Sequence, residues 1–303
     1  MYVSCRNKKK IASPLVGMAT LYDVDNRGGV CYDMFKKPKG ATSVKLWVLM
    51  ENTAYSEDFA AEHGLSLYLE TGGRRILFDM GQSAAFVRNA AKLGIDLGGV
   101  DTAILSHGHY DHGGGIGAFL ECNSHAPVYV SEYAFEPHYG SGGKYVGLDL
   151  SLQGSSRLIP AGDNRDLGDG LSLHSCNGNP RLRPVDPSGL YTLTESGPQP
   201  ECFLHEQYLL VREGERRILI SGCSHKGIVD IVNWFRPDVL VGGFHLMNLS
   251  PEDPAVGQIA DALLEPDTVY YTGHCTGAAQ LATLKVRMGD RLHPIHTGSV
   301  LEL

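Results

Sequence analysis

A chain of 303 residues with 43% hydrophobic and 20% charged residues is long enough to bury a sizeable core and too apolar for wholesale disorder. Its formal net charge of −8 argues against non-specific nucleic-acid binding, which depends on Lys and Arg neutralising phosphates, so an anionic ligand has to be met by local charge. No uninterrupted apolar run has the length of a transmembrane helix, and the seven cysteines, without a Cys-x-x-Cys pair, fit reduced thiols.

Residues 1–42 read as an irregular extension: Lys, Gly and Pro cluster in FKKPKGATS and no sustained period appears. The basic start (Arg6, Lys8, Lys9, Lys10) is not followed by a long apolar stretch before Tyr22 and Asp23, so no signal peptide is expected and the expected location is the cytoplasm. Residues 43–303 are expected to form one catalytic domain. VKLWVLM, LSLYLE and RRILFD read as the strands of a meander, with Thr71, Gly72 and Gly73 between the last two. QSAAFVRNAAKLG spaces Ala84, Val87 and Ala91 as a helix with Gly94 as its C-cap. DTAILSH reads as a strand that ends where a histidine cluster begins, and GGGIGAFLE opens a helix after it. Residues 139–200, rich in Gly, Ser and Pro, read as long active-site loops. The second half resumes with strands EQYLLV and RRILIS, helix KGIVDIVNWF, strand VLVGG, helix PAVGQIADALL, strand TVYYTG and helix AAQLATLKVRM. Meanders opening each half, then β-α alternation, predict an α/β fold of two mixed sheets packed together with helices outside.

The run Ser106-His107-Gly108-His109-Tyr110-Asp111-His112 packs three imidazoles and a carboxylate into six positions. Such nitrogen and oxygen donors suit zinc, with iron and manganese as alternatives. Because the run leaves a strand, His107 and His109 can face one ion while the chain turns to present Asp111 and His112 to a second, about 3.5–4 Å away. Further ligands have to come from distant strand ends. His225 in ISGCSHKG and His274 in YYTGHCTG each follow an apolar strand-like run.

SHGHYDH resembles the metal-binding signature of the metallo-β-lactamase superfamily. EHGLS (Glu62 to Ser66), LFDMGQ (Leu77 to Gln82), SGCSHKGI (Ser221 to Ile228), GGFHL (Gly242 to Leu246) and GHCTG (Gly273 to Gly277) together resemble its subgroup labelled 7,8-dihydropterin-6-yl-methyl-4-(β-D-ribofuranosyl)aminobenzene 5′-phosphate synthase. The likeness runs over about residues 44–303 and implies an αββα sandwich. It puts His107 and His109 on the first metal and Asp111 and His112 on the second, and His274 falls where the superfamily places its last histidine. The superfamily usually has a Gly-Asp pair whose carboxylate bridges the metals. The corresponding strand end here is Gly222-Cys223, so Cys223 is a candidate thiolate ligand and His225 competes for the role. His174 is a candidate for the remaining histidine of the first site.

Around this set, Asp79 is placed to orient a ligand histidine through its other ring nitrogen. Asp111 and His245 are the candidate catalytic residues, and His63 and His245 candidate pocket residues. Arg181 and Arg183 in NPRLRP could clamp a phosphate or carboxylate of the substrate. The expected function is a hydrolase using two divalent ions, Zn2+ first among them, on a small anionic ester or phosphodiester. The alternatives are a dihydropterin diphosphate-dependent transferase forming a C–N bond and a non-catalytic metal-binding protein. Neither a nucleic-acid nor a membrane partner is expected.

Overall fold

The computed structural model describes residues 44–303, together with an antiparallel pairing of Asp23–Val24 with Val30–Cys31. The extension expected over residues 1–42 otherwise lies outside the described residues. Thr42–Leu303 forms one compact unit.

The first half begins with the expected meander, β1 (Lys45–Met50), β2 (Ser66–Thr71) and β3 (Arg74–Phe78). Between β2 and β3 the chain reverses through Gly72 and Gly73, both at positive φ (55° and 79°), the backbone a tight hairpin matched to strand twist demands. Then come α1 (Ala85–Lys92), β4 (Thr102–Ile104), α2 (Tyr110–Gly113), α3 (Ile116–Cys122), β5 (Val128–Val130), β6 (His138–Tyr139) and β7 (Leu158–Pro160). Gly94, at φ 73°, ends α1 as expected. The second half holds β8 (Asn164–Gly168), β9 (Leu171–His174), β10 (Tyr191–Thr194), β11 (Gly197–Pro200), β12 (Tyr208–Glu213), β13 (Arg216–Ile220) and α4 (Ile228–Phe235). It closes with β14 (Val239–Val241), α5 (Pro254–Leu264), β15 (Val269–Thr272), α6 (Ala278–Met288), β16 (Leu292–Pro294) and β17 (Val300–Glu302).

Two seven-stranded mixed sheets result, ordered β17-β1-β2-β3-β4-β5-β7 and β8-β9-β12-β13-β14-β15-β16. Each runs antiparallel through its first four strands and parallel through the rest. The correspondence extends to side chains. Arg74-Arg75-Ile76-Leu77 of β3 matches Arg216-Arg217-Ile218-Leu219 of β13, and Asp101 and Asp238 accept the backbone N–H of Arg75 and Arg217 at 2.8 and 2.6 Å.

The inner faces of the sheets form one core, in which Leu46, Leu67, Ile76 and Phe78 meet Leu171, Leu209, Ile218 and Val239. Each such side chain taken from water contributes roughly 1.5–3 kcal/mol. The outer face of the first sheet is covered by α1 and α3 through Phe86 and Phe119, and that of the second by α4, α5 and α6 through Ile231, Ile259 and Leu284. This is the expected αββα sandwich. No helix of the described residues is long and apolar enough to cross a membrane.

Residues 139–200 depart from the loops expected there. They carry β7 to β11, and β11-β10-β6 form a small third sheet. β8, β10 and β11 are short and largely exposed, as in the alternation of exposed and half-buried residues along β8, so they leave no apolar period to read.

Candidate metal centre

The parallel strands bring their C-terminal ends to one place, and the donor residues sit just beyond them. Asp79 follows β3, His107 to His112 follow β4, Cys223 and His225 follow β13, His245 follows β14 and His274 follows β15. The turn after β4 needs Gly108, because a Cβ there would run into the carbonyl of Ala134. From His109 the chain enters α2, which carries Asp111 and His112 on its first turn. Gly222 answers on the opposite side, where a Cβ would collide with Ser106.

Two groups of donor atoms converge. His107, Cys223 and His225 form one, with the two histidine Nε2 atoms 3.3 Å apart. His112, Cys223 and His274 form the other, where His112 Nε2 lies 3.1 Å from both Cys223 Sγ and His274 Nε2. Asp111 Oδ2 joins this second group at 3.3 Å from His274 Nε2, and His63 Nε2 lies 3.3 Å from the same carboxylate oxygen. Cys223 belongs to both groups, so Cys223 and His225, weighed as competitors in the sequence, are both brought in. His109 packs its ring 4.6 Å from that of His107 and 5.0 Å from that of His225, and its buried Nε2 has no hydrogen-bond partner.

The surroundings set which ring nitrogen carries the proton. Asp79, wholly buried, accepts the Ser106 N–H and hydroxyl, both at 2.7 Å, and the His112 Nδ1–H at 2.6 Å. With its own proton committed to Asp79, the Ser106 hydroxyl can only accept from His107 Nδ1 at 2.8 Å. Asn52 Oδ1 accepts from His274 Nδ1 at 2.8 Å. His107, His112 and His274 therefore all turn an unprotonated Nε2 into the cluster. The Nε2 lone pairs of His112 and His274, meeting at 3.1 Å, repel unless something positive lies between them, and a buried His109 Nε2 without a partner adds to that demand. The donor set fits divalent metal ions on this ground.

The electrostatics agree. Burial, followed by the neighbouring imidazoles, holds His107 and His225 well below the usual histidine value, and burial followed by His205 does the same for His109, so these rings are neutral, the form that ligates metal. His112 runs the other way: burial acts downward, but the carboxylates of Asp79 and Asp111 outweigh it and raise its pKa, so a metal there has to displace a proton from Nε2. Burial acts upward on Asp111, yet His112, His274 and His63 hold it well below the carboxylate range. The Cys223 thiol is pushed up by burial and by Cys275; a bound cation would reverse that, since a coordinating thiol is deprotonated. Backbone strain gathers here too: Asp79, Ser224, His245 and His274 all have positive φ (61°, 61°, 53° and 48°).

Other candidates fall at different distances from the cluster. The His245 ring lies 4.1 Å from His225, and burial pushes its pKa down to about 4. A cavity of about 280 Å3 opens beside these two residues, with Arg183 on its lining. Arg181 is absent from that lining and lies near Tyr208 and Lys226 instead, its buried Nη1 without a partner. His174 does not reach the centre. Leu171 and Leu173 face the inter-sheet core, so the alternate side chains of β9 point outward, and His174 bonds Ser172 and Asn164 at 2.8 Å each and packs on Phe235.

The sequence reading missed a buried histidine-carboxylate group behind the first cluster. His205 Nδ1 accepts the Gly108 N–H at 2.8 Å, pinning the peptide between His107 and His109. Glu201 lies 3.5 Å from His205 Nε2 and accepts from His138 Nδ1 at 2.9 Å and from the Thr192 hydroxyl at 2.7 Å. The available signal was His205 standing just ahead of the EQYLLV strand, at the same kind of strand border as the ligand candidates.

A family model described as the metallo-beta-lactamase superfamily matches residues 61–194. The chain is 29% identical over 252 residues to an uncharacterized protein of Methanocaldococcus jannaschii, which covers 78% of this chain and 92% of that one. It is 27% identical over 285 residues to the 7,8-dihydropterin-6-methyl-4-(beta-D-ribofuranosyl)-aminobenzene-5'-phosphate synthase of the same organism, over 86% of this chain and 97% of the synthase. Among solved structures it is similar to a metal-dependent hydrolase of the beta-lactamase superfamily, with 28% identity and a TM-score of 0.71 over 86% of this chain and 99% of the other.

Proposed function

We propose that this chain is an enzyme of the metallo-β-lactamase superfamily, a metal-dependent hydrolase of a small anionic ester or phosphodiester. The observation that carries the reading is the convergence of histidine Nε2 atoms around a shared Cys223, with Asp79 fixing two of the rings, His112 directly and His107 through Ser106. His107, His109, His225 and Cys223 would hold one divalent ion, and Asp111, His112, His274 and Cys223 a second, Zn2+ suiting this nitrogen, sulfur and oxygen set. When bound, such ions polarise a substrate oxygen and acidify water.

The chain's own groups do the rest. Asp111, ionised and held by His63 and His274, is placed to accept a proton beside the second group of donors. His245, neutral at physiological pH, borders the cavity at the same edge and can hydrogen-bond a leaving oxygen. Arg183 supplies positive charge on the cavity lining to a chain whose net charge is −8.

A second reading is favoured by the named synthase relative: a transferase forming a C–N bond from a dihydropterin diphosphate. One experiment separates the two. Purified, zinc-loaded protein is given phosphodiesters, lactones and, separately, a dihydropterin diphosphate with an aminobenzene acceptor. The hydrolase reading expects metal-dependent hydrolysis that His107→Ala abolishes. Coupled product without hydrolysis of the esters would replace it with the transferase.

A further inference from the structure

We infer that the cavity beside His225 and His245 receives an apolar substituent of the substrate, an aryl or alkyl group on a molecule whose acidic end rests at the metal centre. The inference rests on the metal-enzyme reading above and names the kind of molecule that site takes. The cavity is walled by Ile228 and Val229 of α4, Phe244 and Leu246 after β14, Ile259 of α5, and Val185 of the segment crossing its outer side. Most of these side chains are buried members of, or packed against, the core beneath the second sheet, so the cavity is a recess in an apolar layer.

The two most deeply buried charged groups bordering it, Lys226 and Asp230, are already used to build it. Lys226, also on the lining, turns its ammonium away to the carbonyls of Ser175 and Glu206 and to Asn177 Oδ1, at 2.6, 2.8 and 2.7 Å. Asp230 Oδ1 accepts the Leu182 N–H at 2.8 Å, and Trp234 Nε1 donates to the Pro180 carbonyl at 2.8 Å, tying the outer wall to α4. A polar heterocycle placed here would lose water without recovering its hydrogen bonds, at a cost an apolar ring does not meet. Beyond Lys226 and Asp230, charge on the lining lies at the metal cluster through His225, at the exposed Arg183, and at the exposed Asp186, whose Oδ1 accepts the Ser188 N–H at 2.8 Å. That combination selects a molecule with an acidic head and an apolar body.

The test reads affinity, so it needs no turnover. Zinc-loaded protein is titrated with straight-chain carboxylates from acetate to decanoate. Affinity should rise about fourfold per methylene, or ~0.8 kcal/mol, until the recess is full, and then level off. Ala255→Phe, on the α5 face that lines the cavity, should move the plateau to shorter chains, and Ile259→Ala to longer ones, with zinc content unchanged in both. 2-Naphthoate should bind more tightly than pterin-6-carboxylate, a polar bicycle of similar size. A flat chain-length series, a plateau that neither variant moves, or tighter binding of the pterin overturns the inference. Carboxylates that bind with the expected slope to a protein that hydrolyses no ester would sink the hydrolase and leave this inference standing; ester hydrolysis indifferent to chain length would do the reverse.

Discussion

Replacing Asp79 with asparagine changes one atom and should disarm the centre from behind. The side chain is wholly buried, and at φ 61° Asn keeps the backbone conformation that few other residues tolerate. Its amide oxygen can still accept the Ser106 N–H. The amide nitrogen then stands where Oδ2 met His112 Nδ1 at 2.6 Å and the Ser106 hydroxyl at 2.7 Å. Two donors cannot face each other, so His112 has to carry its proton on Nε2, which points at Cys223 and His274 at 3.1 Å. The opposite amide orientation sets a donor against the Ser106 N–H and fails equally. Loss of such an orienting partner typically costs 10- to 100-fold in metal affinity, about 1.4–2.7 kcal/mol. Competition against a zinc chelator should show this loss in the site holding His112, and a smaller one at His107 through Ser106. Wild-type affinity at both sites in Asp79→Asn would refute the tautomer argument.

Cys223→Ser should weaken both sites, because Sγ belongs to both donor groups, whereas His225→Ala should weaken only the first. A cobalt-loaded sample should show a sulfur-to-metal charge-transfer band that Cys223→Ser removes. Burial holds His205 at about 4, so the unfolded chain takes up this proton first. The metal-free protein should therefore keep this residue's contribution above about pH 6.5 and lose roughly 3 kcal/mol as pH falls towards 4. His205→Asn, whose amide oxygen still accepts the Gly108 N–H, should flatten that slope in urea melts; an unchanged slope contradicts it. Arg183→Ala should lower kcat/KM about three- to tenfold for anionic substrates alone, the effect being limited by solvent at an exposed charge. Arg181→Ala, away from the cavity, should change neither substrate class.

Elements with strong periods or sharp punctuation were legible in the sequence. PAVGQIADALL and AAQLATLKVRM span α5 and α6 as expected, and the RRILFD and RRILIS runs mark the paired central strands. The SHGHYDH cluster was legible because its donors are local, four within six positions. What depends on long-range geometry was not. Nothing in the sequence says that His205 folds back onto Gly108 from 97 positions away, or that β9 turns His174 outward. Cys223 and His225 compete in the sequence because a single bridging carboxylate is missing there and either could replace it. Both lie beyond the end of β13, on either side of the left-handed turn at Ser224, φ 61°, and both reach the cluster. Arg181 and Arg183 alternate along an irregular segment, and only the fold shows which of them borders the cavity.

The central claim is that two divalent ions share this cluster, and metal stoichiometry tests it most directly. Protein reconstituted with excess zinc and then desalted should carry two equivalents by elemental analysis. His107→Ala and Asp111→Ala, each removing a donor from one group, should each carry about one or fewer. Two full equivalents retained in both variants, or no more than trace metal in the wild-type protein, would contradict the account.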